Sequence, residues 1–540
     1  MGWNPQIPLR RNAPGCRVGA TDAERATDAG CCPLSLAWKV RPGAIPETGD
    51  WAPRKDPFLL GVFLQAVERV AQSTARGVDL WQAVEQHKRI FGGQHDGARQ
   101  FLEHALDQYF EYHEAREEQL GQLHLVTIWP KIEKDREKGK ATLTVWATAL
   151  YETSGGDREI RRLRMSSVRT EVTAWAYVAG HVAAEHQGSY PTRRVWVTEI
   201  SLRDGIEHHL LDGVTREAAE ELYLAHGRPA AKNAARGEVA KPGRDCSSCK
   251  LTAACTERIP VPGFLQAEQP GPWTRSVSAS DLEMYERCPS QWYMDREAHL
   301  PRDDEGNEAL LRGRAVHRWI EAAHARGRAC ALDDLPHQLD DIPVIGSEVL
   351  EPGDYQLADS YLRAHMTCCP LRDGPLQSLA AERTLYAYDS VADVVIATKP
   401  DATWLRDDTL VLHEIKSTQE LPDLTADEIL TRFLAVSWDL VALESGLISH
   451  FGASCGEVQL EVLSPARARI FTYRTDDKLL MKMARGQVRR LATKWLTDET
   501  WTASPNIGCG SCAVRRWCSS RDAWKTRVEL TTSAAGAPGA

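Results

Sequence analysis

The second half of the chain switches between two hydrophobic periods, and their order predicts an α/β layout. SDLEMYERC, capped by Ser280, and ALLRGRAVHRWIEAAHAR, with Val316, Ile320 and Ala323 at core spacing, read as helices. Three β-branched runs follow: TLYAYD, VVIATKPDATWL and TLVLHEIKS. After them come a long helix near Ile429 to Leu447, a strand near Val458 to Leu463 and a helix near Leu479 to Trp495. Elements in this order close into a small mixed sheet flanked by helices.

A second pattern spans both halves. Cys246, Cys249 and Cys255 form C-x2-C-x5-C, and so do Cys509, Cys512 and Cys518. Far upstream of each triplet stands a Cys-Pro followed by an aromatic residue: Cys32-Pro33 with Trp38, and Cys288-Pro289 with Trp292. The three triplet cysteines recur after 263 residues and the Cys-Pro after 256, which predicts a tandem duplication. The boundary falls in the Pro- and Gly-rich stretch between Cys255 and Ser276. This gives modules at 1–265 and 276–525 and, in residues 526–540, a tail too poor in apolar residues to pack.

The 540 residues exceed one compact core, consistent with two domains. No apolar run is long enough to span a membrane and the start lacks an apolar leader, so a cytoplasmic protein is expected. Fourteen cysteines in that setting read as reduced thiols or metal ligands. The spacings leave Cys16, Cys330, Cys368, Cys369 and Cys455 as buried or incidental thiols. A net charge of −10 gives no global attraction to nucleic acid, so DNA must be held locally or through metal ions.

The strand pair KPDATWLRDDTLVLHEIKS carries candidate chemistry. A hairpin turning at Asp407 and Asp408 brings Asp401 beside Glu414, and alternation puts Glu414 and Lys416 on one face with Ile415 on the buried one. Two carboxylates, an ammonium and the Ile415 carbonyl suit Mg2+ or Mn2+ and phosphodiester hydrolysis.

Pro400-Asp401 and Glu414-Ile415-Lys416 resemble the signature of the PD-(D/E)XK nuclease superfamily. The Ser278-to-Pro289 lead-in, Gly313-x-x-x-His317 and the terminal cysteines are similar to its RecB-like and CRISPR-adaptation exonuclease branch. That resemblance implies two restriction-endonuclease-like modules, each clasped by four cysteines. It implies that His317, Asp401, Glu414 and the Ile415 carbonyl hold the catalytic metal, with Lys416 as the fourth catalytic group beside His317, Asp401 and Glu414. It implies a 4Fe-4S cluster on Cys288, Cys509, Cys512 and Cys518, although four thiolates also suit zinc. A second cluster is expected on Cys32, Cys246, Cys249 and Cys255, with Cys31 competing for the first place. The expected activity is DNA hydrolysis, exonucleolytic, in repair, recombination or antiphage defence beside a separate helicase or ATPase. A non-catalytic DNA-binding or scaffolding subunit and an RNA-directed nuclease are the alternatives. The family's Gln-x-x-x-Tyr helix is replaced here by FLAVSWDLVALE, with Trp438 as its aromatic.

Aligning Trp146 with Trp404, Asp157 with Asp408, or Glu159-Ile160-Arg161 with Glu414-Ile415-Lys416 fails to restore two acids and a lysine across Val126 to Arg169, so the first module is expected to be a degenerate copy. Its Arg158, Arg161, Arg162 and Arg164, with Arg169, could contact phosphates if they share a face; a solvated edge is the competing reading.

Overall fold

The computed structural model describes residues 16–40, 59–136, 140–249, 255–267, 276–303, 308–335, 344–345, 348–372, 374, 376–421 and 423–523. The expected start of the chain and its tail at 526–540 lie outside the described residues.

Two five-stranded sheets dominate. The first orders β1 (His124–Thr127), β2 (Leu150–Glu152), β3 (Asp157–Arg164), β4 (Arg194–Ser201) and β5 (Glu207–Thr215) side by side. The second does the same with β6 (Gln377–Ala381), β7 (Ala402–Arg406), β8 (Thr409–Ser417), β9 (Cys455–Leu463) and β10 (Ala468–Arg474). Directions also agree: only β3–β4 and β8–β9 are parallel. A parallel pair needs a crossover, and each has a helix for it. These are α2 (Ala174–Glu185) in the first module and α5 (Leu434–Ala442) in the second, both apolar nearly all round and buried. Around the sheets pack the helices α1 (Asp96–Leu120), α3 (Glu308–Ala325), α4 (Pro352–Met366) and α6 (Lys478–Thr497).

A smaller sheet accompanies each large one. Cys16–Gly19 runs parallel to Lys140–Trp146, which pairs antiparallel with Lys131–Arg136. Ser276–Val277, Val394–Thr398 and Leu385–Asp389 repeat that arrangement, and Ile259–Pro260 from the end of the first module adds a fourth strand. The modules interlock elsewhere too. Phe101 of α1 packs edge-on against Trp517 at 5.0 Å, in a core shared with Trp292 and Trp495. Both tryptophans are fully buried, and truncating either to Ala should cost about 3–5 kcal/mol.

Three sequence expectations need correction. Ser278, not Ser280, caps the first helix of the second module, since its hydroxyl accepts from the Asp281 N–H. The run VVIATKPDATWL is two strands in different sheets, broken where Pro400 removes a ladder donor. The long helix after the catalytic strands is interrupted at Phe433, whose φ of −120° and ψ of 82° are not helical.

Candidate active site and cysteine centres

Asp401 sits at the corner between Val394–Thr398 of the smaller sheet and β7 of the larger one, one residue before β7. Its Oδ1 lies 2.8 Å from His317 Nδ1 on α3, and its Oδ2 accepts the Ile415 N–H at 2.6 Å. In an extended strand the N–H and C=O of one residue point the same way, so the Ile415 carbonyl also faces this corner. Alternation along β8 buries Ile415 on one face and turns Glu414 and Lys416 to the other, where Lys416 Nζ donates to Glu414 Oε2 at 2.8 Å. Asp407, with φ of 50°, and Asp408 make the two-residue turn between β7 and β8.

The structure adds acids that sequence reasoning missed. Glu382, just past β6, ion-pairs with Lys399, and its carboxylate joins His317 and Asp401 with ligand atoms within 4.8 Å of one another. Asp439 on α5 is 2% exposed and its Oδ2 has no hydrogen-bond partner among the described residues. Glu283, accepting from the Leu434 N–H, stands near Lys416. Nothing in the local sequence marks these three.

The charges explain why so many carboxylates can coexist only uneasily. Burial raises the pKa of Glu414, Glu382, Glu283 and Asp439, and Asp401 adds to the first two while Glu414 adds to the last. Burial would lower His317, but the bond to Asp401 outweighs it; Asp401 is in turn held well below the usual carboxylate range despite its burial. An excess of buried acid around Lys416 and His317, one oxygen of it orphaned, is the donor chemistry a hard divalent cation satisfies.

The same corner in the first module is filled differently. Leu150 pairs with Ile160 as Ala402 pairs with His413. Counting outward from these pairs, Ala149, Arg161 and Leu163 stand where Asp401, Glu414 and Lys416 stand. Arg161 is completely buried. Its Nε donates to Glu159 Oε2 at 2.9 Å, and its guanidinium carbon lies 4.2, 4.9 and 5.2 Å from the rings of Tyr151, Tyr112 and Tyr109. Glu159 Oε1 accepts from Tyr112, Arg116 and Thr198. Burial pushes Glu159 up, but Arg161 and Arg116 win and hold it below its ordinary pKa.

Of the arginine run, Arg158, Arg161 and Arg162 are buried and Arg164 is half-buried, whereas Arg169 is exposed. Arg158 is buried against the carbonyls of Ala183 and His186 with Glu152 nearby, Arg162 pairs with Glu24, and Arg164 with Glu199. Arg158, Arg162 and Arg164 do lie on one face of β3, but that face is covered by the rest of the module. Trp438 likewise points into the core, its Nε1 on the Ala397 carbonyl and its ring 4.6 Å from Phe264.

Each cysteine quartet is brought together. Cys32, Cys246, Cys249 and Cys255 line one pocket, closed on one side by Tyr386 and Val395 of the second module. Burial raises the Cys246 thiol to about 11, with the other three cysteines adding. Burial likewise raises Cys512 to about 11, with Cys288, Cys518 and Cys509 adding. The sulfurs also receive matching backbone donors. Lys241 N–H to Cys32 and Gly243 N–H to Cys246, both 3.4 Å, repeat as Ser504 N–H to Cys288 at 3.4 Å and Asn506 N–H to Cys509 at 3.3 Å. Cys31 is buried beside Asp245 and does not line the pocket.

Residues 276–519 match the family model of the PD-(D/E)XK nuclease superfamily. Members of that superfamily are metal-dependent nucleases. The match encloses Asp401, Glu414, Lys416, His317 and the second cysteine quartet. No curated protein is significantly similar to the chain. A solved structure titled "Crystal structure of SSO0001" is similar at 15% identity over 46% of this chain and 86% of that one. The TM-score of that match is 0.23. No helix among the described residues is long and apolar enough to cross a membrane.

Proposed function

We propose that residues 276–525 form a Mg2+- or Mn2+-dependent deoxyribonuclease of the RecB-like kind, acting exonucleolytically at ends or on single strands, and that residues 1–265 are a degenerate copy of it. The observation that carries this is the convergence of His317, Asp401, Glu414 and Lys416 at one corner with too much buried carboxylate for the cations present. His317, Asp401, Glu414 and the Ile415 carbonyl would hold the metal, with Glu382 beside them. A divalent cation there supplies a Lewis acid for the phosphate and lowers the pKa of water. Lys416 orients the nucleophile and offsets charge developing on the phosphate, while Glu414 holds its ammonium in place. The Ile415 N–H and His317 fix Asp401 in one rotamer.

The duplication reading rests on the shared strand order and directions of the two sheets and on the repeated cysteine geometry. For the cysteines we favour 4Fe-4S clusters with a structural role, each closing a loop of over two hundred residues. Backbone N–H groups aimed at sulfur suit thiolates of either a cluster or zinc. A cytoplasmic setting and a separate helicase or ATPase partner, in repair, recombination or antiphage defence, belong to the same reading.

The test is cleavage of end-labelled single- and double-stranded DNA, with RNA alongside, by anaerobically purified full chain with Mg2+ or Mn2+. Asp401→Ala and Lys416→Ala are each expected to lose on the order of 100-fold to 1000-fold in rate. Absence of cleavage by folded, cluster-loaded wild type would leave a DNA-binding or scaffolding subunit. Preferential cleavage of RNA would reassign the substrate.

A further inference from the structure

Away from the acidic corner, the helical insert of the second module gathers His324, Cys330, His365 and Cys369, whose donor atoms all lie within 4.8 Å of one another. His324 comes from the last turn of α3, Cys330 from the loop after it, His365 from the last turn of α4 and Cys369 from the loop that follows. Both histidines and Cys369 are buried. The individual distances are His324 Nε2 to His365 Nε2 3.2 Å, Cys369 Sγ to Cys330 Sγ 3.7 Å, and Cys369 Sγ to His324 Nε2 4.0 Å. A tetrahedral zinc with bonds of about 2.0–2.1 Å to nitrogen and 2.3 Å to sulfur spaces its donors about 3.3–3.8 Å apart.

We propose that these four residues form a structural zinc site, with two imidazoles and two thiolates as its complete ligand set. Two imidazole nitrogens aimed at each other and at two sulfurs have at most weak hydrogen bonds to share. One cation at the centre satisfies all four. The outer partner such a site needs is also present: His365 Nδ1 is bonded to Glu461 Oε1 at 2.8 Å, which fixes the ring and leaves Nε2 for the metal. Glu461 Oε2 takes His413 Nε2 at 2.9 Å, so it is spoken for on both oxygens. Cys368 also lies within reach of Glu461 and His365. That alternative set has only three donors and would take Glu461 from His413, so the four-residue set is favoured. Binding displaces the protons of the two thiols and any on the imidazoles.

The site has a positioning consequence. His324 and His317 are seven residues apart on α3, two turns along one face. Zinc therefore pins the end of the helix whose middle presents His317 to Asp401. On the other side, the His365–Glu461–His413 chain reaches β8 one residue from Glu414. Zinc binding by these four residues does not depend on whether the acidic corner is a nuclease site.

Zinc and iron would be measured per chain by mass spectrometry in wild type, Cys369→Ser, His324→Gln, Cys509→Ser and Asp401→Ala, all purified anaerobically as the full chain. Expected is one zinc per chain in wild type, lost in the first two variants with iron unchanged and kept in the last two. Zinc-edge X-ray absorption on the wild type needs no variant to fold and should show two sulfur and two nitrogen neighbours. A four-sulfur shell would place the zinc in a cysteine quartet and overturn the proposal. So would zinc content unaffected by Cys369→Ser and His324→Gln, or a Cys330–Cys369 disulfide in the metal-free protein kept under reducing conditions.

Discussion

The two five-stranded sheets share strand order and direction, yet their equivalent corners resolve buried charge in opposite ways. In the second module, acids from β6, β8, α5 and the β7 corner crowd around one lysine and one histidine, and most of them are driven toward protonation. In the first, Arg161 carries its own positive charge into the space, stacked among three tyrosines and paired to Glu159. The comparison teaches that the same strand order can carry a buried acid balanced by a permanent guanidinium or an excess of acid that the side chains around it leave unbalanced.

The sharpest way to break this contrast is activity. Asp401→Ala should remove on the order of 100-fold to 1000-fold of cleavage, while Arg161→Ala, assayed at a temperature where it stays folded, should leave cleavage at wild-type level. Cleavage that depended on Arg161 would mean that the first corner acts on substrate. Next in size is stability. Removing Arg161 leaves Glu159 buried with Arg116 as its remaining cation, so chemical denaturation should show a loss of about 3–5 kcal/mol. Glu159→Gln with Arg161→Leu should recover much of it, because a buried pair replaced together is often close to neutral.

A smaller effect probes the orphaned oxygen of the second corner. Asp439→Asn is close in shape to the protonated acid, so melting of the metal-free protein should barely change, while Mn2+ affinity by titration calorimetry should fall about tenfold. Unchanged affinity would remove Asp439 from the metal's surroundings. An effect confined to acid pH concerns His113, which packs against Tyr151 and which burial, with Arg161 nearby, lowers to about 3. The unfolded chain gains a proton near pH 6.5 that the folded one refuses until about 3, so His113 withdraws stability as pH falls through that window. His113→Gln should flatten the acid limb of stability against pH, and an unchanged limb would assign acid sensitivity elsewhere.

What the sequence determined by itself is what local order and spacing encode. Alternation along TLVLHEIKS sets which face Glu414 and Lys416 share, and the recurrence of C-x2-C-x5-C ties distant segments together. Periodicity says which side of an element is apolar, but not what will cover its polar side. That was decided by packing. Arg158, Arg161 and Arg162 look like a solvated basic run until α1, α2 and the neighbouring strands close over them. Glu382 and Asp439 become part of the acidic corner only because a sheet corner and a crossover helix bring them there. His324, Cys330, His365 and Cys369 show no recognisable spacing, since their separation is set by how α3 folds back against α4. Each of these depends on contacts between residues far apart in the chain, and those contacts are created by burial of the core, which one-dimensional patterning does not specify.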